Sequence, residues 1–198
     1  MTTHDKTARI AALRAKMQFA SKANFDGKKD KDDFWQTPNG ESTVRLIQHP
    51  GDREPVIPYN NHALQIRGKW LIEDCPMSID LPCPICEAKQ ERKEYNATNV
   101  FVPNSGAVLW WKFGAQIAKT IVELDDAGID PFDPNAGAHL VVRKPDYHNS
   151  AFLPPSALGT DQEIAAILAK CKPLSALLKL KPYTVLKVKY EQMMGAEK

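Results

Sequence analysis

The chain contains 198 residues, 43% of them hydrophobic, and carries a formal net charge of +2. This length suits one well-buried domain with a terminal arm and is short for two full domains. No stretch approaches the roughly 18 uninterrupted apolar residues of a membrane span, and the opening residues, MTTHDKTARIAALRAK, are charged where a secretory signal is apolar. We therefore exclude a membrane-spanning protein and expect an intracellular one, in which disulfides are disfavoured.

The small net charge conceals a separation of signs along the chain. Residues 164–190 contain six lysines and no acidic residue, whereas residues 121–142 contain five acidic residues and no lysine or arginine. Two solvated faces of opposite sign would account for this pattern as well as a basic surface for an anionic partner would. Charge alone does not decide between them.

The N-terminal segment has the pattern of a short amphipathic helix. In residues 6–19 the apolar Ile10, Leu13 and Met17 are spaced by three and four positions among basic residues. The polar, charged stretch SKANFDGKKDKDDF that follows is typical of a linker. We expect this arm to pack on a partner.

From about residue 41 the pattern changes to short strands. Arg67, Gly68 and Lys69 form a plausible hairpin turn between two of them, and PNSG separates two others. Five or six strands indicate a small barrel, and their sequences are STVRLIQ, VIPYNNHALQI, KWLIE, NATNVFV, AVLWWKF and AHLVVRK.

Two helices are predicted among the later residues. The first runs from Ala115 to about Asp126 and stops before Gly128, and the second runs over residues 161–170 after the capping residue Thr160. The fold class predicted from the pattern is therefore mainly β with added helices.

Three of the four cysteines lie within DCPMSIDLPCPIC, residues 74–86. With the nearest upstream histidine they give the set His62, Cys75, Cys83 and Cys86, separated by twelve, seven and two residues. A C-x-x-C pair is a usual half of a tetrahedral zinc site, and four protein ligands leave no open position, so we predict one structural Zn²⁺. A redox pair or inert cysteines are the alternatives, but no β-α-β pattern surrounds the motif.

The remaining residues give no catalytic motif. Cys171 stands apart in a lysine-rich helical stretch and is expected to be a packed or free thiol. The sequence contains no glycine-rich phosphate loop, no nucleophile elbow and no H-E-x-x-H. We therefore predict that the protein is not an enzyme.

Basic residues alternate with aromatic residues along the predicted strands. Cations that follow phosphates and rings that stack on unpaired bases are what a single-stranded nucleic acid requires. By alternation, Trp111 belongs to the apolar set and Trp110 shares a face with Lys112, which favours Trp110 for a binding cleft. The candidate nucleic-acid contacts are Arg45, Arg67, Lys69, Arg92, Lys93, Tyr95, Trp110, Trp111, Lys112, Arg143, Lys144 and Tyr147.

Several longer motifs resemble a known family. The four candidate zinc ligands, GKWLIEDC, WWKFGAQIAKTI, HNSAFLPPSAL and YEQMMG together resemble the single-stranded DNA-binding, helix-destabilising proteins of T-even-type bacteriophages. The resemblance implies an OB-fold, a five-stranded barrel, with a zinc-binding subdomain at about residues 60–93 and an N-terminal helical arm. It also implies cooperative coating of single-stranded DNA during phage replication, recombination and repair, in the cytoplasm of the infected bacterial host.

The resemblance also assigns parts of the chain. Trp111 falls where the family has a cleft tyrosine, contrary to the alternation, so both tryptophans remain candidates. Residues 1–33 correspond to an arm and linker for self-association along DNA, with Lys6, Thr7 and Arg9 in the cooperativity segment, and residues 34–198 to the DNA-binding core. The family ends in an acidic tail that recruits replication and recombination proteins, and we expect that tail to have been removed here.

These predictions leave two functions. The first is sequence-independent binding of single-stranded DNA, without catalysis. The alternative is a zinc-ribbon protein-interaction module of a replication or transcription complex, which would contact DNA only incidentally.

Overall fold

The computed structural model describes residues 33–195. The predicted helix at residues 6–19 and the cooperativity residues Lys6, Thr7 and Arg9 lie outside this range. The strands are β1 (Gly40–Ile47), β2 (Ile57–Ile66), β3 (Lys69–Asp74), β4 (Lys93–Val102), β5 (Ala107–Phe113), β6 (His139–Lys144) and β7 (Ala151–Phe152). The helices are α1 (Pro84–Glu87), α2 (Ala115–Asp126), α3 (Asp161–Leu168) and α4 (Tyr183–Met194), with 3-10 turns at Pro76–Ile79, Tyr147–Asn149 and Leu174–Ala176.

The seven strands form one antiparallel sheet in the order β3-β2-β4-β1-β6-β7, with β5 paired to β4. The long strand β4 organises the sheet. It pairs with β2 over residues 93–97 and with β1 over residues 99–101, and β5 pairs with it over residues 96–102. Phe34 adds a parallel bridge to Trp110, which ties the beginning of the described chain to β5. The mainly β class predicted from the pattern is confirmed.

The main core lies between one face of the sheet and α2. Trp111 and Phe113 of β5 pack there with Ile117, Ala118 and Ile121 of the helix. The helix occupies residues 115–126, as predicted, and ends where Gly128 adopts a φ of +81°. A residue with a Cβ would be strained in that conformation, so the glycine ends the helix at a defined point.

The β2–β3 hairpin forms one edge of the sheet, where β3 pairs with β2 and β2 pairs with β4. Its turn consists of Arg67 and Gly68, with φ values of +50° and +77°, as in the two-residue turns that match strand twist. The predicted hairpin is therefore confirmed. Leu71 of the hairpin is buried in a second core with Ile85 of α1 and with Leu186 and Tyr190 of α4.

The C-terminal third is helical but differs from the prediction in two places. Helix α3 begins after Thr160, as predicted, but ends at Leu168, so Cys171 lies beyond the helix and not within it. Cys171 is a buried free thiol, as expected. Helix α4 was not predicted. No helix within residues 33–195 is long and apolar enough to cross a membrane.

Candidate metal centre and nucleic-acid interface

The four predicted metal ligands meet at the base of the β2–β3 hairpin. His62 lies in β2, and Cys75 directly follows β3. Cys83 directly precedes α1, and Cys86 lies within it. Their ligand atoms all lie within 4.8 Å of one another. The Sγ atoms of Cys75 and Cys86 are 3.5 Å apart, and His62 Nε2 lies 3.3 Å from Cys83 Sγ and 3.4 Å from Cys86 Sγ.

These separations fit a tetrahedral metal ion. With Zn–S bonds of about 2.3 Å and Zn–N bonds of about 2.0 Å, ligand atoms at the corners of a tetrahedron lie roughly 3.5 to 3.8 Å apart. One histidine nitrogen and three thiol sulfurs also match the donors that zinc takes in closed structural sites. The residues therefore fit one zinc ion.

The surroundings of the cluster orient its ligands. His62 Nδ1 lies 2.9 Å from the carbonyl oxygen of Glu91, so an N–H on Nδ1 donates to it and leaves the Nε2 lone pair facing the cysteines. Burial lowers the pKa of His62, which favours the neutral imidazole that a metal requires. Burial raises the pKa of Cys75 and of Cys83, so thiolates at this position need a nearby cation.

Local backbone contacts bring the cysteines to the hairpin. The N–H of Cys75 donates to the carbonyl oxygen of Asn60 at 2.9 Å, and the N–H of Asn60 donates to Ser78 Oγ at 2.8 Å. Pro84 occupies the first turn of α1, where its missing N–H costs no helical hydrogen bond. The C-x-x-C pair thus sits on a single helical turn that faces β2.

Both candidate tryptophans of the predicted cleft are buried. Trp111 is 2% exposed in the main core, and Trp110 is 7% exposed on the opposite face of the sheet. The alternation correctly placed Trp110 on a face with Lys112, but Phe34 packs against its ring at a centroid distance of 5.8 Å. Neither ring is therefore open to solvent in this structure.

Tyr95 is also buried. It lies in β4 beside β2, and residues from a later part of the chain pack over it. It is 3% exposed and lies directly opposite Tyr59 in the sheet. Leu174 and Leu177 cover both rings, and burial raises the pKa of Tyr95 to about 12. The ring of Tyr95 is therefore closed to solvent in this structure.

Arg45 is a buried cation held by backbone carbonyl groups. Its Nη2 donates to the carbonyl oxygen of Asp133 at 2.7 Å and to that of Ser156 at 3.1 Å. The side chain is fully enclosed. Its place in a predicted strand gave no sign of these partners, which lie about 90 and 110 residues away in the chain.

The remaining candidates around the hairpin are accessible to different degrees. Arg67 and Lys69 are exposed at its turn, and the guanidinium of Arg67 lies so close to Gly195 that a side chain there would overlap it. Arg92 forms a 2.7 Å ion pair with Glu94, and its hydrogen bonds to Glu94 and to Cys86 raise its pKa. Lys93 is half-buried at the start of β4.

The last candidates lie on β5, on β6 and in the 3-10 turn that follows β6. Lys112 Nζ lies 3.7 Å from the ring centroid of Tyr59. The guanidinium of Arg143 forms a 3.0 Å ion pair with Glu41, and Lys144 donates to the carbonyl oxygen of Thr37 at 3.3 Å. Tyr147 is half-buried against the main core.

One exposed aromatic was not among the predicted contacts. Trp70, beside Lys69 in β3, has 61% of its surface exposed. The available signal was the alternation in KWLIE, where the buried Leu71 places Trp70 on the other face of the strand.

Comparison with known proteins agrees with these features. A family model described as gp32 DNA binding protein like matches residues 38–100, which contain all four candidate metal ligands. A single-stranded DNA-binding protein of Escherichia phage SV14 is 30% identical over 108 residues, which cover 50% of this chain and 92% of the relative. The chain belongs to the gp32-like family.

Two further relatives extend the comparison. A single-stranded DNA-binding protein of Enterobacteria phage T2 is 25% identical over 98% of this chain and 80% of that relative. Another, from Enterobacteria phage RB70, is 30% identical over 50% of this chain and 89% of the relative. The similarity thus extends over nearly the whole chain and not only over the metal-ligand segment.

Proposed function

We propose that this protein binds single-stranded DNA with little dependence on sequence, without catalysis, and coats and protects it during phage DNA replication, recombination and repair. The observation that carries the proposal is membership of the gp32-like family combined with an exposed basic turn, Arg67 and Lys69, on the hairpin whose base carries the candidate metal centre. Exposed basic groups on an ordered hairpin are suited to following a phosphate backbone.

The fold part of the proposal is an OB barrel. In support of it, β1 pairs with both β4 and β6, and α2 connects β5 to β6 and packs against the core. In OB-folds, oligonucleotides bind to the face of the second and third barrel strands and to the loops after the first and fourth barrel strands. In this protein the five barrel strands would be β1, β4, β5, β6 and β7 in chain order. The β2–β3 hairpin is then an insertion in the loop after the first barrel strand, and Tyr147 lies in the loop after the fourth.

The metal part of the proposal is one structural zinc ion. His62, Cys75, Cys83 and Cys86 would hold it, and when bound it supplies cross-linking of the hairpin base and no reaction chemistry. The four ligands come from β2, from the end of β3 and from α1, so their joint coordination fixes these three elements relative to one another. The hairpin then keeps one orientation toward the sheet.

The DNA contacts that we propose are the candidates with accessible charge or ring surface. The buried Arg45, Tyr95, Trp110 and Trp111 are left out of this set because less than 9% of each residue is exposed. The contacts retained are Arg67, Lys69, Arg92, Lys93, Lys112, Arg143, Lys144 and Tyr147.

The organisation of the whole chain is proposed from the family resemblance. Residues 1–33 would form an arm and linker through which copies associate along DNA, with Lys6, Thr7 and Arg9 as contacts, and residues 34–198 the DNA-binding core, with the zinc subdomain at about residues 60–93. We propose other phage replication and recombination proteins as its further partners. The relatives are phage proteins, so we place the protein in the cytoplasm of the infected bacterial host.

The test is a titration of the protein with fluorescent oligo-dT and with duplex DNA of equal length, at two salt concentrations, before and after zinc chelation. We expect the protein to bind the single strand more tightly than the duplex. Its affinity for the single strand should fall as salt rises, because phosphate contacts release counterions, and should weaken on chelation, because the metal orders the hairpin. Lys69→Ala should weaken binding, whereas Lys119→Ala, on the exposed surface of α2, is the matched control. Equal, salt-independent binding to both DNA forms would contradict the proposal.

A further inference from the structure

We infer that Trp70 stacks on an unpaired base and is a principal aromatic contact of this protein with single-stranded DNA. The inference rests on the proposed function. It concerns a residue outside the contacts proposed above, and it arises from the position of Trp70 on the β2–β3 hairpin.

Trp70 differs from the other three tryptophans in its exposure. Trp35, Trp110 and Trp111 are all below 9% exposed, whereas Trp70 is 61% exposed. A large ring held in water offers both of its faces to a ligand, and stacking on a base removes that apolar surface from solvent. The tryptophans buried in the cores cannot do this without unfolding.

The sheet register places Trp70 on a defined face of the hairpin. Trp70 lies opposite Gln65, and Ile72 lies opposite Ala63. Alternation puts the side chains of these four residues on one side of the hairpin. We call this surface the Trp70 face.

The Trp70 face continues toward a proposed phosphate contact. In the next row of the same face, Asn61 lies opposite both Asp74 of β3 and Lys93 of β4. Lys93 is therefore four strand positions along and two strands across from Trp70, or roughly 16 Å at the usual rise per residue and strand spacing. A strand of DNA that crosses this face would meet Trp70 at one end and Lys93 at the other.

The chemistry around Trp70 suits a nucleic acid better than a protein. Its neighbours Lys69, Arg67 and Gln65 are all exposed and are charged or polar. Protein interfaces have apolar centres depleted in charge, whereas single-strand sites combine stacking rings with cations. By the same alternation Lys69 lies on the opposite face of the strand from Trp70, so the cations stand at the hairpin turn and the ring stands beside Gln65. An exposed ring on a hairpin whose turn carries two cations matches the second description.

The opposite side of the hairpin is anchored, so the Trp70 ring is held before DNA arrives. Leu71 is buried against α4, and Glu73 is bridged by Lys181 at 2.6 Å and by Lys189. The candidate metal centre lies at the base of the same two strands. Because these contacts fix the backbone, little ordering entropy is lost when a base stacks on Trp70.

The decisive variants are Trp70→Ala and Trp70→Phe in the full 198-residue chain, titrated with fluorescent oligo-dT. Loss of the ring should weaken binding about 5- to 150-fold, the range of one base stack, whereas phenylalanine should stay within a few-fold of wild type. Val188→Ala, which removes an exposed apolar group from α4, is the control and should bind as wild type does. Thermal melts of all variants check that each one is folded.

Salt dependence separates stacking from phosphate contact. Trp70→Ala removes no charge, so the slope of log K against log salt should stay unchanged while the affinity drops. Lys69→Ala should instead reduce that slope by about 0.7, the value for one phosphate contact on a single strand. A slope change in Trp70→Ala would show that the substitution acts by displacing the neighbouring cations, which would overturn the inference.

Tryptophan fluorescence gives an independent measurement on the wild-type protein. Trp70 should account for most of the emission that acrylamide can quench, and saturating oligo-dT should protect it. Protection that rises with protein concentration without DNA would place Trp70 at a contact between copies and overturn the inference. Wild-type binding by a folded Trp70→Ala would overturn the inference alone, whereas failure of the wild-type protein to prefer single strands would overturn the proposed function as well.

Discussion

Cys83 and Cys171 are both buried free thiols, but only one belongs to a ligand cluster. Cys83 Sγ lies 3.3 Å from His62 Nε2. Cys171 packs in a small apolar cluster, where burial raises its pKa to about 12. The two residues therefore form a matched pair for testing the metal centre, since each substitution removes one buried sulfur.

Cys83→Ser should abolish stoichiometric zinc binding, and Cys171→Ser should preserve it. Loss of one of four ligands opens a closed site, and apparent binding energies of structural zinc exceed about 10 kcal/mol, so the hairpin base should become unstable. Zinc content and thermal melts with and without chelator measure both effects. Chelation should lower the melting temperature of Cys171→Ser but not of Cys83→Ser. Equal zinc content in the two variants would contradict a four-ligand site.

Arg45 shows the limit of residue-level prediction. The pattern in β1 correctly placed it in a strand, but its partners are backbone oxygens of Asp133 and Ser156, in distant loops. Burial lowers the pKa of Arg45, while Asp133 and Asp130 act in the opposite direction. Arginine stays charged even so, and it joins two loops across the sheet. Local pattern cannot reveal a partner set by the tertiary fold.

At the scale of elements, sequence patterns predicted the helices and the turn that nearby residues determine, and missed the helix that tertiary packing stabilises. Helix α2, the hairpin turn and the start of α3 follow from capping and turn residues that act within a few positions. Helix α4 has weaker local signals, because Val185 and Val188 are exposed while Leu186 and Tyr190 are buried. Helix α4 is stabilised by packing against the β2–β3 hairpin and α1, and no local sequence pattern indicates that these elements contact it.

Helix α3 carries a pH-dependent cap. The N–H of Glu163 donates to Thr160 Oγ1 at 3.4 Å, and the N–H of Thr160 donates to Glu163 Oε2 at 2.8 Å. Hydrogen bonds from the backbone and then from the side chain of Thr160 hold the pKa of Glu163 below its ordinary value of 4.5. The lowered pKa means that this contribution to stability is fully present above about pH 4.5. It is lost as the pH falls through the folded-state value.

Thr160→Ala should lower the melting temperature by about 2 to 4 °C at neutral pH, as loss of one N-cap does in a chain of this size. The difference from wild type should narrow below pH 4.5, where the carboxylate of Glu163 becomes protonated. Thr120→Ala is the control, because Thr120 lies within α2 and its hydroxyl donates only to the preceding turn, at Gln116. A difference that is constant from pH 7 to pH 3 would refute the coupling of the cap to Glu163.

At the scale of the whole molecule, residues far apart in sequence decide which aromatic rings are accessible. Trp110 and Tyr95 are covered by Phe34 from the start of the described chain and by Leu174 and Leu177 from its end. The basic and aromatic pattern predicted the class of ligand, but it could not distinguish covered rings from open ones. Trp70, on the β2–β3 hairpin, lies outside this covered cluster and stays exposed.

The junction between the proposed arm and core defines a deletion that tests the proposed self-association separately from DNA binding. The carbonyl oxygen of Asp33 accepts the N–H of Trp110 at 3.0 Å, and the N–H of Trp35 donates back to Trp110 at 2.7 Å. Trp35 also packs edge-on against Trp111 in the main core. A chain that begins at Asp33 keeps these contacts, whereas one that begins at Gly40 loses them and should be less stable.

Deletion of residues 1–32 should leave the affinity for a short oligo-dT that holds one copy unchanged, because the proposed contacts all lie in the core. On long poly-dT the same deletion should weaken binding on the order of tenfold or more and turn a sigmoidal isotherm into a hyperbolic one, since neighbouring copies no longer raise each other's effective concentration. Fluorescence titrations on both lengths measure this. An equal loss on short and long strands would mean that the arm contacts DNA itself, and an isotherm that stays sigmoidal would place self-association within the core.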